Sequence, residues 1–476
     1  MYLGIDVGTS GVKTVLVDAG GAVVATQTVP LELATPQPGW CEQDPADWWN
    51  AVCASVRGLD ADLCEVKAIG LSGQMHGAVM LDEQLAAIRP AILWNDTRSF
   101  AEADRLAEVA DVEEIVGVRP MAGFTATKIM WMAAHEPDRH ARIAHVVTPK
   151  DWVRWKMTSA LAMEMSDAAG TMWLDQDARD WSATMCEASD TDAAWLPPLL
   201  EGTAFAGKLS GQAAGEMGLS PGIPVAAGGG DAAMGGVGIG AVRPGDAFLS
   251  LGTSGQIFVV TDRYRSAPGT LVHSFAHALP DRWFHMACLL NGASPLAWWA
   301  ETCGADVDTL LTEAEGVESG PIHFLPYLTG ERTPLNDPHI RGCFYGLGAG
   351  TDQAEMTVAV LEGIAHSIGE AADALRAAGT MPDRLGVIGG GARSDRLVQL
   401  VADVLGVPID RYANSETGAA LGAARVAMIA DGMDVDSVAT TPEVARTFEP
   451  GERDPERRKR WRRLYDALAP EAQALA

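Results

Sequence analysis

The residues best suited to chemistry are two aspartates and two short polar turns. Asp6 ends the apolar run Leu3-Gly4-Ile5 and is followed, after Val7, by Gly8-Thr9-Ser10-Gly11. The same tetrapeptide returns half a chain later as Gly252-Thr253-Ser254-Gly255, with Ser250 where the first copy has Asp6. Each copy reads as a β-hairpin: an alternating apolar strand, a Gly-bounded tip, and a second apolar strand. Such tips present backbone N–H groups and hydroxyls, the nest that binds phosphate, and two of them could hold one polyanion from both sides. Small polar turns are also common in β-proteins and need bind nothing. The candidate phosphate contacts are Thr9, Ser10, Lys13, Gly252, Thr253 and Ser254. A carboxylate beside only one turn suits a hard divalent cation, which prefers carboxylate, water and phosphate oxygens; the plainer role for Asp6 is to stabilise its turn. Asp231 follows Val225-Ala226-Ala227 and three glycines that let backbone and ligand approach closely. A carboxylate at such a strand end, facing a cleft, suits a general base for an alcohol proton. The alternative is an N-cap for the helix starting at Ala232.

The elements that must position these groups fall into two runs. From residue 1 to about 241 the order is paired strands, a Trp-rich stretch (Trp40, Trp48, Trp49), a helix and the strand Val66–Leu71. Helical stretches follow around 100–135 and 151–158, and then the strand that leads into Asp231. Gly238–Gly245 reads as a hinge region. From 242 onward the second hairpin is followed by a long helix, Thr351 to about Ala377. The strand Leu385–Ile388 then breaks at Gly389-Gly390-Gly391 into the helix Ser394–Leu405, and a further strand starts at Val407. Residues beyond about 430 read as a helical tail. Strands alternating with helices predict α/β layers.

Composition narrows the function. At 476 residues, 47% apolar and 21% charged, the chain exceeds the size at which single cores split into domains. A formal net charge of −28 argues against nucleic acid and anionic membranes, which demand clustered Lys and Arg. An anionic substrate must therefore be met by local donors and a metal ion. Seven scattered cysteines without a C-x-x-C read as reduced thiols in a cytoplasmic protein, not zinc ligands. The first strand leaves no room for a signal peptide, and no run has the length of a membrane span. Gly8–Thr14 lacks P-loop spacing, and Gly236–Gly240 lacks a dinucleotide-binding context. The basic run Arg457–Arg463 reads as the solvated or body-facing side of a terminal helix.

Taken in order, several motifs resemble the FGGY carbohydrate kinases, and within them the members acting on xylulose. They are Gly4–Ser10, Trp40–Pro45 with Trp48-Trp49, Ser72-Gly73-Gln74-Met75-His76-Gly77, Leu93–Asp96, Ser166–Thr171, Gly229–Asp231, Tyr327–Pro334 and Gly389–Ser394. The resemblance implies two ribonuclease H-like α/β domains of the hexokinase, actin and heat-shock ATPase superfamily, residues 1–241 and 242–476, with the active site in the interdomain cleft. It implies a kinase that uses ATP and Mg2+ to phosphorylate a ketopentose. Asp231 would be the general base and Asp6 would hold the magnesium, through water. Gln74, Met75, His76 and Asp231 would bind the sugar, with Trp94, Asn95, Asp96 and Trp40–Gln43 completing the wall. Gly389, Gly390, Gly391 and Ala392 would receive adenosine, with Gly418–Ala424 as close helix packing behind them. A homodimer is a family-level expectation. Kinases of ribulose, gluconate or glycerol, and a non-kinase ATPase of the same superfamily, remain as alternatives.

Overall fold

A computed structural model describes residues 1–318, 320–413, 418–452 and 454–475, folded around two seven-stranded sheets. The first contains β1 (Tyr2–Val7), β2 (Gly11–Val17), β3 (Val23–Pro30), β4 (Ala68–Gly73), β5 (Phe205–Lys208), β6 (Pro224–Ala226) and β7 (Gly229–Gly230). Its spatial order is β5-β6-β4-β1-β2-β3, with β7 also paired to β4. The second contains β8 (Ala247–Leu251), β9 (Gly255–Thr261), β10 (His273–Ala276), β11 (Trp283–Leu289), β12 (Leu385–Ile388), β13 (Ile409–Tyr412) and β14 (Val444–Phe448). Its order is β10-β11-β9-β8-β12-β13-β14. Both sheets thus share a core in which an antiparallel hairpin (β1-β2, β8-β9) flanks a parallel neighbour (β4, β12). β1 is apolar on both faces because both are covered. This is the duplicated α/β architecture expected from the sequence.

Five helices matter for the site: α1 (Asp231–Ile239), α2 (Gln353–Ala377), α3 (Asp395–Leu405), α4 (Ala419–Ala430) and α5 (Pro455–Ala474). Asp352 and Glu355 form a reciprocal capping box at the start of α2, and the Ser394 hydroxyl caps α3. α4 does not pack behind the Gly389 turn, as the sequence suggests; it lies on the first sheet. A Cβ on Gly4 would fall 2.0 Å from the Ala420 carbonyl oxygen, and one on Gly422 would fall 1.9 Å from that of Met234. Only glycine permits helix and sheet backbones to meet so closely. Reciprocally, Met234 and Val237 of α1 join Phe248, Phe258 and Phe284 of the second sheet in one core. Burying each of those phenylalanines contributes about 2 kcal/mol. Each half therefore lends a helix to the other's sheet.

The segment beyond residue 430 is not a tail. β14 pairs antiparallel with β13 and extends the second sheet, satisfying backbone groups that β13 would otherwise leave at an edge. On α5, Trp461 is 1% exposed and donates to the Phe324 carbonyl at 2.7 Å. The basic run is split between the two expected settings: Arg457 pairs with Glu362, Arg458 with Glu370 and Asp373, and Arg462 with Glu370, while Lys459, Arg460 and Arg463 are exposed. Among the described residues no helix is long and apolar enough to cross a membrane.

Candidate active site

The register of the first sheet brings the two aspartates together. Asp6 on β1 pairs with Ser72 on β4, and Ser72 pairs with Gly229 on β7, all three strands running parallel. Asp231 follows two residues later, as the first residue of α1. Carboxyl ends of parallel strands are where open α/β sheets hold ligands. Backbones two strands apart are about 10 Å apart, close enough for the carboxylates to influence each other. Across the cleft the second sheet supplies Ser250 and Ser254, and together the halves enclose a cavity of about 360 Å3. Met75, His76 and Trp94 line it from the first half; His273, Cys288 and Arg332 line it from the second.

Asp231 is open to the solvent of the cleft but walled by protein on its other sides. That enclosure, reinforced by the charge of Asp6 and partly offset by the Ala232 N–H, pushes its carboxyl up to about 7. Burial also raises Asp6, against the pull of the Ser72 hydroxyl and of Lys13. Lys13 is the cross-strand partner of Asp6, on the same face of the sheet. One carboxylate oxygen of Asp6, Oδ1, is buried and accepts no hydrogen bond. An orphaned anionic oxygen beside a Gly-bounded turn is suited to a hard cation and its waters.

His76 is held in a left-handed conformation, φ 67°. Its carbonyl accepts from Lys128 Nζ at 2.7 Å and from Thr125 Oγ1 at 3.1 Å, which fixes the turn. Its Nδ1 lies 2.8 Å from the Gly170 carbonyl, which can only accept, so Nδ1 carries the proton. Burial holds the ring well below the usual histidine range. The imidazole is therefore neutral, and Nε2 is left as an acceptor for a hydroxyl.

Behind Asp231 lies a wholly buried ionic cluster. Arg154 donates to the Ala227 carbonyl (3.0 Å) and to Asp151 (2.7 Å). The Gly230 N–H donates to Ser166 Oγ (3.0 Å), which donates in turn to Glu164 (2.9 Å). These bonds hold the backbone on both sides of Gly228-Gly229 and so aim Asp231.

Two family models match the chain: the N-terminal domain of the FGGY family of carbohydrate kinases over residues 1–238, and its C-terminal domain over residues 247–430. The chain belongs to the FGGY family of carbohydrate kinases. Xylulose kinase of Escherichia coli (strain K12) is 43% identical, over 99% of each chain. The crystal structure of a "xyloylose kinase" from Brucella ovis superposes with a TM-score of 0.94 at 42% identity, covering 100% of both chains. A gluconate kinase from Lactobacillus acidophilus shares the fold, with a TM-score of 0.91 at 23% identity, over 100% of this chain and 99% of its own. As an FGGY kinase the protein is an enzyme that uses ATP to phosphorylate a sugar.

Against this family frame the expected site residues divide. Asp6, Asp231, Met75 and His76 come together at the cleft. Gln74 does not reach it: it is 1% exposed, its Oε1 accepts from Thr9 Oγ1 (2.9 Å), and its Nε2 donates to Gln43 (3.1 Å). Thr9 Oγ1 also accepts from Trp94 Nε1 (2.9 Å), so that hydroxyl is spent on the wall and only its backbone remains for phosphate. Asp96 is likewise consumed, by the Cys41 N–H and Arg98, and Arg98 stacks on Trp40 at 3.6 Å. Ser10, Thr253 and Ser254 are exposed at their tips, and the carbonyls of Gly252 and Thr253 are held by Ala293 and Gly292. Gly389, Gly390 and Ala392 line a separate open cavity of about 540 Å3 with Arg411 and Tyr412, and Gly391 is buried beside them. His273, Cys288 and Arg332 escape the sequence reading. Of these only Arg332 lies in a quoted motif, Tyr327–Pro334, which carried no role.

Proposed function

We propose that the protein phosphorylates D-xylulose at its terminal 5-hydroxyl, using ATP and Mg2+, with Asp231 as general base. One observation carries the reading: an aspartate raised to about 7 at the carboxyl end of the first sheet faces the second Gly-Thr-Ser-Gly turn across one cavity. The kinship to xylulose kinases at above 40% identity over full length supports the choice of sugar.

In this reading the first half, residues 1–241, holds the sugar, with Met75 and His76 against the pocket and Nε2 of His76 accepting from a hydroxyl. Residues 242–476 hold the nucleotide, its purine against Gly389–Ala392. Asp231 takes the proton of the reacting hydroxyl as the oxygen attacks the γ-phosphorus in line, and the β–γ bridge bond breaks to release ADP. A carboxylate near 7 is well matched to that transfer at neutral pH. Asp6 would hold Mg2+ through water with its orphaned Oδ1; when bound, the ion neutralises phosphate charge. The Gly8–Gly11 and Gly252–Gly255 turns contribute backbone N–H groups to the phosphates. Closure of the halves excludes water, the smaller nucleophile that Asp231 could also activate.

The test is ADP release from Mg–ATP with D-xylulose, L-xylulose, D-ribulose, L-ribulose, glycerol and gluconate, for wild type and Asp231→Asn. D-Xylulose is expected to dominate, and the variant to lose about 10²- to 10⁴-fold in kcat. Preference for another polyol would discard the sugar and keep the kinase. Release indifferent to every sugar and to Asp231 would sink the mechanism.

A further inference from the structure

Arg332 sits on a firmly stitched loop of the second half. Asn291 Nδ2 donates to the Gly330 carbonyl at 2.6 Å, the Thr333 N–H donates to the Cys288 carbonyl at 2.9 Å, and Thr333 Oγ1 accepts from the Cys288 N–H at 3.2 Å. The neighbouring carboxylate of Glu331 is 2% exposed and turned away from the guanidinium. It accepts from the Leu290 N–H (2.6 Å) and the Arg332 N–H (2.8 Å). The half-buried guanidinium of Arg332 consequently makes no hydrogen bond and no ion pair among the described residues. Arg98, Arg154 and Arg179, whose side chains are 1%, 0% and 12% exposed, are each paired with a carboxylate. A partly desolvated cation without a partner is costly unless something else completes it. Its planar fork can only donate, so the missing group is an acceptor.

Its place in the cleft says which acceptor. Arg332, Trp94 and Leu290 line the cavity that holds Asp231, and the same three line an adjoining cavity of about 340 Å3 that does not reach Asp231, Met75 or His76. They therefore stand where the two cavities meet. The guanidinium lies over the Trp94 ring, 5.6 Å from its centroid, so an indole face and a fork of donors share one surface. The positive charge is felt at His76, His273 and Cys288, and Cys288 feels the charge of Asp231 as well. With the reacting 5-hydroxyl at Asp231, the far end of an open-chain 2-ketose presents its C1 hydroxyl and its C2 carbonyl, of which only the carbonyl is an acceptor alone.

We propose that Arg332 is a specificity-determining residue that donates hydrogen bonds to the carbonyl end of the ketose, so that the second half reads the sugar held by the first. This rests on the ketose-kinase reading above. It makes the carbonyl, not chain length alone, the feature that separates a ketose from the matching alditol. A site built to donate to a polar group discriminates against analogues that present it differently.

The experiment pairs protein and substrate changes. Wild type, Arg332→Met and Arg332→Lys are assayed with D-xylulose and with D-arabitol and xylitol, which carry a hydroxyl in place of the carbonyl. Alditols that turn over too slowly are measured as competitive inhibitors. Arg332→Met is expected to lower kcat/KM for D-xylulose about 10- to 100-fold, the size of a hydrogen bond to a charged donor. The loss should fall mainly on the KM for sugar, with the KM for ATP and the melting temperature unchanged. The alditols should shift no more than about twofold, and Arg332→Lys should recover part of the ketose loss. Equal losses for ketose and alditols, or a loss in kcat with sugar KM intact, would overturn the assignment. Wild type that ignores D-xylulose while using another polyol would instead overturn the substrate reading, and the assignment with it.

Discussion

At neutral pH Asp231 stands at its own midpoint, which makes the rate a direct reading of the cleft's electrostatics. With its carboxyl at about 7, Asp231 carries a proton below that value, and the proposed base is then lost. Each pH unit further down removes tenfold of the active form, so kcat/KM for the sugar at pH 5 should fall about 100-fold below its plateau near pH 9. Burial is the first cause of the shift and the Asp6 charge the second. Asp6→Asn should therefore move the acid limb to lower pH without returning it to the ordinary carboxylate value of 3.8. Asp231→Asn should remove the limb altogether. Stability must follow the opposite sign. A folded-state carboxyl raised above its unfolded value disfavours the ionised form, so the native state loses stability as pH rises from about 3.8 toward 7. Asp231→Asn, which cannot ionise, should then melt higher than wild type at pH 8, with the gap closing below pH 4. Initial rates of ADP release from pH 5 to 9, with thermal melts of the ligand-free proteins from pH 3.5 to 8, measure both. A rate limb centred near 4, or an Asp231→Asn enzyme that melts lower than wild type at pH 8, would refute this account of the site.

Three further outcomes are expected. Gly422→Ala places a methyl 1.9 Å from the Met234 carbonyl oxygen and should cost about 3 kcal/mol or more in urea unfolding, because backbone on both sides must move. Arg154→Met strips Asp151 and the Ala227 carbonyl of a buried donor; it should destabilise by about 3–5 kcal/mol and lower kcat, since the same bonds aim Asp231. Trp94→Phe keeps the ring but loses the donor to Thr9 Oγ1, worth about 1 kcal/mol, so kcat/KM should fall roughly fivefold with melting little changed.

What the sequence made legible is what alternation and glycine encode. The two hairpins, the strand Leu385–Ile388 and the helix Gln353–Ala377 follow from local pattern and caps, and the structure places them within two residues. The two acids were legible because only one copy of the repeat carries a carboxylate and because Asp231 follows a Gly run at a strand end. Gln74 and Thr9 show where such reading stops. Their types suit a sugar and a phosphate, but their polar atoms are spent on each other and on Gln43 and Trp94, across separations of up to 85 residues. No local pattern reveals which donors are already used. β14 escaped because Val-Ala-Arg-Thr-Phe carries little apolar alternation; it is a strand because β13 offers it a ladder. Arg332 escaped for a third reason: its interest lies in a partner it lacks, which only the packed structure can display.

The exchange of helices between the halves gives the duplication a mechanical consequence. α1 begins at Asp231 and packs its apolar body into the aromatic layer of the second sheet, with Gly236 against Phe258. α4, from the second half, lies on β1, the strand that carries Asp6. Each acid is thus covalently part of one half and mechanically seated against the other. Where α1 and α4 cross, glycine meets carbonyl at Gly422 and Met234 and at Gly238 and Gly418, and the buried Arg425 of α4 donates to the Val237 and Gly238 carbonyls of α1 at 3.0 and 3.1 Å. Rotation of one half over the other at this crossing must carry both carboxylates with it. Asp6 and Asp231 both stand at the carboxyl ends of strands of the first sheet, so they keep their mutual spacing in such a movement.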